Sequence, residues 1–292
     1  MRNEIDTNTI KILVCCHKTC ELPNDDIFLP IQVGSAISNV DLGIQRDDKV
    51  NGEPCDNISA KNKSYCELTA MYWAWKNIKK IYPSLLYIGI NHYRRYFFDS
   101  TSVLKDLYIK PTNEVTKYKL NNKKLWKELK SGYTIISKKR HYLYPLYVDY
   151  SLCHVADDLR LLLEVIKQVS PDYVRDFNRV LMCNNKLAPY NMTIIKWDYF
   201  SSYCTWLFPI LNEVERRINI SNYSEKQQRI FGYMSERLFN VWLVHNNVKI
   251  KELPIIQFVD DKKELSFIYY AIGYFRSQFS MLFLKPRRTP RF

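Results

Sequence analysis

Glycine is scarce in this chain. Seven glycines in 292 residues form no glycine-rich phosphate loop and no G-x-G-x-x-G fingerprint. A G-x-S-x-G nucleophile elbow is also missing. These absences disfavour kinase, dehydrogenase and serine-hydrolase readings. No run of 18 apolar residues exists, so no helix plainly spans a membrane. The opening stretch, "MRNEIDTNTIKILVCC", holds acids and no apolar h-region, which predicts a chain without a secretory signal. The eight cysteines are then expected as reduced thiols of a cytosolic protein. "CCHKTC" lacks the second, closely spaced ligand pair that a tetrahedral zinc site needs. Cys15 and Cys16 also fall in a strand pattern that sends them to opposite faces. No metal ligands are assigned.

What is present suits a large core. Hydrophobic residues make up 47% of the chain and aromatics 14%, with 22 tyrosines, which is not a disordered composition. The formal net charge of +13 favours anionic partners: nucleic acid, acidic lipid or phosphorylated substrates. Nucleic-acid binding is the competing class. No RRM, helix-turn-helix or zinc-finger pattern supports it, and no nucleic-acid partner is expected.

The element order reads as α/β. "KILVCC" at 11–16 is a short apolar strand, and residues 20–60 are loop-rich. Leu68, Met71, Tyr72 and Trp75 repeat at i, i+3, i+4, i+7 and predict a helix. A strand at 85–90 follows. Residues 99–131 read as a polar surface excursion. "YTIIS" at 133–137 and "NMTII" at 191–195 are further strands, and "VKIKELPII" at 248–256 is the last. Asp157 is expected to cap one helix, and Asp198 to open another. Ser224 and Gln227 fit a capping box that starts a third helix. On that third helix Arg229, Gly232, Tyr233, Glu236 and Asn240 share one polar face. A glycine within a helix suggests that something packs closely against it.

The apolar strand at 85–90 runs without a turn residue into "NHYRRYFF". Ligands of open α/β sheets bind beyond the carboxyl ends of strands, and arginine recognises phosphate oxygens bidentately. Tyr93, Tyr96 and Phe97 are candidates to stack on a base or sugar. Metal-dependent glycosyltransferases usually carry Asp-x-Asp after a central strand to hold the ion on the donor diphosphate. No Asp-x-Asp occurs in this chain, and its acidic pairs are adjacent residues instead. Arginines in that place would neutralise a leaving diphosphate themselves.

Five stretches, "IQVGSA" (31–36), "CDNISAKN…YCELTAMYWAWKN" (55–77), "YIGINHYRRYFF" (87–98), "NMTIIKWDYFSSYCTWLFPIL" (191–211) and "RIFGYMSERLFNVWL" (229–243), resemble a family of bacterial surface-polysaccharide glycosyltransferases formerly catalogued as a domain of unknown function. The family is similar to the galactofuranosyltransferase module of bifunctional O-antigen galactan polymerases. The resemblance covers roughly residues 10–256. It implies a GT-A-like α/β domain with a mixed central sheet flanked by helices. It also implies a UDP-galactofuranose or UDP-galactose donor and an inverting transfer to a growing, lipid-linked glycan (capsule, O-antigen or lipooligosaccharide).

On this basis a GT-A-like domain is expected over 1–265; the aromatic and basic sequence of 266–292, outside the resemblance, predicts an amphipathic helical tail at the inner face of the cytoplasmic membrane. His17, Asp56, Asn57, Asn62, His92, Arg94 and Arg95 are expected around the donor. Glu67, Arg229, Tyr233 and Asn191 are expected to line the cleft or the acceptor. Glu236 is the first choice for the carboxylate base, ahead of Asp198 and Asp157. No cofactor and no divalent metal are expected. A non-catalytic partner in polysaccharide assembly is the alternative.

Overall fold

A computed structural model describes residues 7–99, 107–120 and 122–260. The predicted tail therefore lies outside the described residues.

Ten strands form the main sheet: β1 (Ile10–Cys16), β2 (Phe28–Gln32), β3 (Gln45–Arg46), β4 (Tyr87–His92), β5 (Arg95–Phe97), β6 (Leu107–Pro111), β7 (Thr134–Ser137), β8 (Thr193–Lys196), β9 (Ile250–Leu253) and β10 (Ile255–Val259). The spatial order is β9-β7-β8-β4-β1-β2-β3. β1 runs parallel to β2 and β4, whereas β8 is antiparallel to both β4 and β7. This is the expected mixed central sheet, with β1, β2 and β4 running parallel within it. β5 folds back on β4 through the His92–Arg95 pair, and β10 joins β5 to β6.

The central strands are buried on both faces, which explains their continuous apolar runs. In β1, Leu13 and Cys15 face one hydrophobic cluster while Ile12, Val14 and Cys16 face the other. The first cluster is covered by α1 (Leu68–Ile81), α4 (Ala156–Val169), α5 (Val174–Leu181), α6 (Trp197–Arg217) and α7 (Ile230–His245). The shorter α2 (Asn122–Lys130) buries Leu125 and Leu129 in the second, and α3 (Leu146–Cys153) packs on α4. Gly89 on β4 pairs with Ile12 of β1 and Ile194 of β8. A Cβ there would meet Ile12 Cγ1 and Ile194 Cγ1, each at 3.0 Å.

Three expectations change. β2 is a strand despite Pro30. Ile27 O accepts from Ile12 N and Val33 N donates to Cys16 O, so the odd-numbered residues bond β1. Pro30 therefore turns its missing N–H toward the other side, where pairing with β3 begins only at Ile31. The stretch 99–131 is not simply a surface excursion, because Leu107, Val115, Tyr118, Leu120, Leu125 and Leu129 are buried in the second cluster. The last predicted strand is two strands split at Pro254, β9 against β7 and β10 against β5 and β6.

Candidate functional site

The carboxyl ends of β1 and β4 open into a cleft of about 590 Å³. Its wall is built from the segment after β1 (His17), Val33 after β2, and the β4–β5 hairpin (His92, Tyr93, Arg94, Arg95). The turn Asn62–Tyr65 and the start of α1 add Asn62, Lys63, Cys66 and Glu67, while Glu225, Gln228 and Arg229 close it before α7. The volume suits a small organic ligand. Lys63, Arg94, Arg95 and Arg229 give the cleft four basic side chains against Glu67 and Glu225, a balance that favours an anion.

The β4–β5 hairpin explains how adjacent arginines serve one cleft. The chain reverses at Tyr93–Arg94, so Arg94 sits on the turn and Arg95 on the returning strand. Arg95 Nε donates to Gln257 Oε1 at 2.9 Å, and its guanidinium lies 4.5 Å from the Tyr190 ring centre. Arg94 lies over Tyr93 at 5.7 Å. Of the three aromatics proposed for stacking, only Tyr93 lines the cleft. Tyr96 and Phe97 are fully buried core side chains of β5.

Glu67 stands immediately before α1 and is 8% exposed. Its Oε1 accepts from Asn191 Nδ2 at 2.6 Å, and among the described residues no other side-chain bond is made to it. His92 Nε2 lies 2.8 Å from the Tyr190 carbonyl oxygen, which can only accept, so the proton is on Nε2. Burial lowers the His92 pKa, with Arg95 adding to the effect against the opposing field of Glu67. His17 is lowered by burial and by the neighbouring Lys18, Arg94 and Arg229. Cys66, with φ 52°, is pushed up to about 11 by burial and by Glu67.

Of the residues predicted from sequence, His17, Asn62, Glu67, His92, Arg94, Arg95 and Arg229 line this cleft. Asn191 lies beneath it, bonded to Glu67 and, at 3.2 Å, to the Gly232 carbonyl. Glu236 is behind the wall. Its Oε1 accepts from Tyr190 N at 2.7 Å and its Oε2 from Arg237 Nη1 at 3.2 Å. Burial raises its pKa against the pull of Arg237. The close neighbour that Gly232 implied is Cys66, whose Sγ would lie 3.3 Å from an added Cβ.

Others do not reach the cleft. Asp157 makes an exposed pair with Arg160, and Asp198 pairs with Lys196 at 3.0 Å. Asp157 is not the cap, since Val155 holds that position and Asp157 lies in the first turn. Asp56 accepts from Tyr72 OH and so holds the loop to α1, whereas Asn57 closes a local turn within the loop, accepting from Ser59 N and donating to the Cys55 carbonyl. Tyr233 packs at a tilt against His154, ring centres 4.1 Å apart, instead of lining the cleft.

Sequence reasoning missed Tyr190, which joins His92, Arg95 and Glu236, and Asp47. Fully buried Asp47 accepts from Gly34 N, Ser35 N and Ser59 Oγ and so supports the segment after β2. Among the described residues, no group of three or more His, Cys, Asp and Glu side chains is placed to hold a metal ion.

Comparison with known proteins agrees with this architecture. No curated protein matches at a significant level. A solved structure titled WbbM bifunctional glycosyltransferase, apo form, superposes with a TM-score of 0.74 at 27% identity over 86% of this chain. The match covers 45% of that chain, so the present sequence spans less than half of its length. A family model described as a domain of unknown function, DUF4422, matches residues 11–247. The chain belongs to that family.

Proposed function

We propose that the protein is an inverting, metal-independent glycosyltransferase. It would move galactofuranose or galactose from its UDP-sugar to a growing, lipid-linked surface polysaccharide. The observation that carries this reading is the cleft at the carboxyl ends of β1 and β4, where three arginines and a lysine face one buried carboxylate. The likeness to a bifunctional glycosyltransferase supports it.

In this reading Arg94, Arg95 and Arg229 neutralise the diphosphate, work otherwise given to a metal ion. An acceptor hydroxyl attacks the anomeric carbon from the face opposite UDP. The bond from that carbon to the diphosphate oxygen breaks and its electron pair leaves with UDP. The hydroxyl proton passes to a carboxylate. We assign that role to Glu67 in preference to Glu236, because Glu67 lines the cleft and, among the described residues, has only one oxygen engaged. Glu225 also lines the cleft but is solvent-exposed at its rim. A second cavity of about 340 Å³ shares the Tyr93–Arg94 wall and gives the acceptor a place beside the donor.

The test is UDP release and glycan extension with a panel of UDP-sugars and a synthetic lipid-linked acceptor, with and without EDTA. Activity that survives EDTA and falls about 100-fold or more in Glu67→Gln is expected, the scale of general-base loss. Failure to bind any UDP-sugar would overturn the assignment. Activity abolished by EDTA and restored by Mn²⁺ would overturn its metal-free form.

A further inference from the structure

Glu236 has no place on the cleft wall, yet it grips the loop beneath it. Tyr190 and Asn191 are consecutive residues in the left-handed region, φ 76° and 54°. Residues with a Cβ hold that conformation only where their surroundings over-determine it. Here the loop is held at many points. Tyr190 N–H donates to Glu236 Oε1 at 2.7 Å, and its carbonyl accepts from His92 Nε2 at 2.8 Å. Its ring packs on Arg95 at 4.5 Å and Arg140 at 5.0 Å. The Asn191 amide donates to Glu67, and its oxygen accepts from Ser235 Oγ at 3.1 Å.

Glu236 is itself fixed. Its partner Arg237 is 4% exposed, donates to the Tyr233 carbonyl at 3.0 Å and lies over the Tyr150 ring at 4.9 Å. The Tyr190 carbonyl in turn decides which His92 nitrogen carries the proton. With Nε2 protonated, a neutral imidazole keeps its lone pair on Nδ1. Among the described residues no hydrogen bond is made to Nδ1, and it is not one of the fully enclosed unpartnered atoms. It is therefore an acceptor in a cleft otherwise rich in donors. Without the grip on its N–H, Tyr190 would relax out of the left-handed region and swing its carbonyl away from His92.

We propose that Glu236 is a positioning residue: through Tyr190 it holds His92 in the Nε2–H form, with bare Nδ1 offered to a hydroxyl of the bound sugar. The hydroxyl rests on the sugar-transfer reading, whereas the control of the tautomer does not. Two variants test it. Glu236→Gln keeps an oxygen for Tyr190 N–H, and Glu236→Leu fills the space without one. The readouts are the ¹⁵N resonances of the His92 imidazole, which report its tautomer without turnover, and the rate of sugar transfer. Wild type and Glu236→Gln are expected to show the Nε2–H form and rates within about threefold of each other. Glu236→Leu is expected to show mixed tautomers and a rate at least tenfold lower, with kcat falling more than the UDP-sugar KM rises. An unchanged tautomer in Glu236→Leu overturns the proposal. So does a Glu236→Gln variant that loses transfer as fully as Glu67→Gln, because Glu236 would then be the reacting carboxylate. Should the leucine variant not fold, the glutamine variant decides by the same rate criterion. A wild type that shows the tautomer control but transfers no sugar refutes the enzymatic reading alone.

Discussion

Arg95 combines charge with shape in one side chain. Burial disfavours its charged form, yet the guanidinium is held by Gln257 and by the Tyr190 ring. Arginine stays charged where lysine would lose its proton, and its planar group stacks where an ammonium cannot. In the sugar-transfer reading, Arg95→Ala and Arg94→Ala should each lower turnover about 100-fold, the scale for loss of one donor from a preorganised site. Arg95→Lys should recover little of it, which steady-state rates with a single UDP-sugar would reveal; recovery to near wild type would show that charge alone is needed. Gly89 makes the opposite point, because its role is what it lacks. Gly89→Ala would force its Cβ against Ile12 and Ile194 at 3.0 Å in the centre of the sheet. A loss of about 1–3 kcal/mol of stability is expected, the usual range for overpacking. Equal urea midpoints for mutant and wild type would show that the two isoleucines give way.

At the scale of elements, α4 brings a buried acid to the core. Asp158 accepts from Tyr223 OH at 2.6 Å and from Tyr150 OH at 3.4 Å, and burial pushes it up to about 7. Asp149 on α3 is raised to about 6 by burial despite Arg237. A carboxyl raised in the folded state contributes most below its unfolded value near 4, and that contribution is lost as pH rises through its folded value. These two groups therefore favour the folded state at pH 4 relative to pH 8. Asp158→Asn should flatten this slope and raise the melting temperature by a few degrees at pH 8. Melting at both pH values decides it, and a slope identical to wild type counts against the buried acid. Elements with an uninterrupted pattern were readable in advance. The Leu68–Trp75 stripe became α1, and "YTIIS" became β7. β2 was hidden by Pro30, whose tolerance depends on which side of the strand has a partner. His92, Arg94 and Arg95 were readable because a strand's carboxyl end is a local feature. Tyr190 was not, since its bond to His92 joins residues 98 apart, and no short-range pattern encodes that meeting.

At the scale of the whole molecule, the charge of +13 bears on where the reaction would occur. Among the described residues, no helix is long and apolar enough to cross a membrane. A lipid-linked acceptor would nevertheless place the protein at a bilayer surface, and the sequence of 266–292 suits that boundary. Phe267, Tyr269, Tyr270, Tyr274, Phe275, Phe279 and Phe283 supply aromatic surface, while Arg276, Lys285, Arg287, Arg288 and Arg291 supply charge. Each basic residue near an anionic surface contributes about 1 kcal/mol, and that attraction weakens as salt screens it. The full chain should float with vesicles containing anionic lipid at low salt and bind less at high salt. A chain lacking 266–292 should remain in the soluble fraction while still releasing UDP from the donor, since the cleft is lined, among the described residues, by side chains from Cys15 to Arg229. Equal flotation of both chains, or of neither, would refute the surface anchor. Loss of donor turnover together with the tail would make that segment part of the catalytic domain.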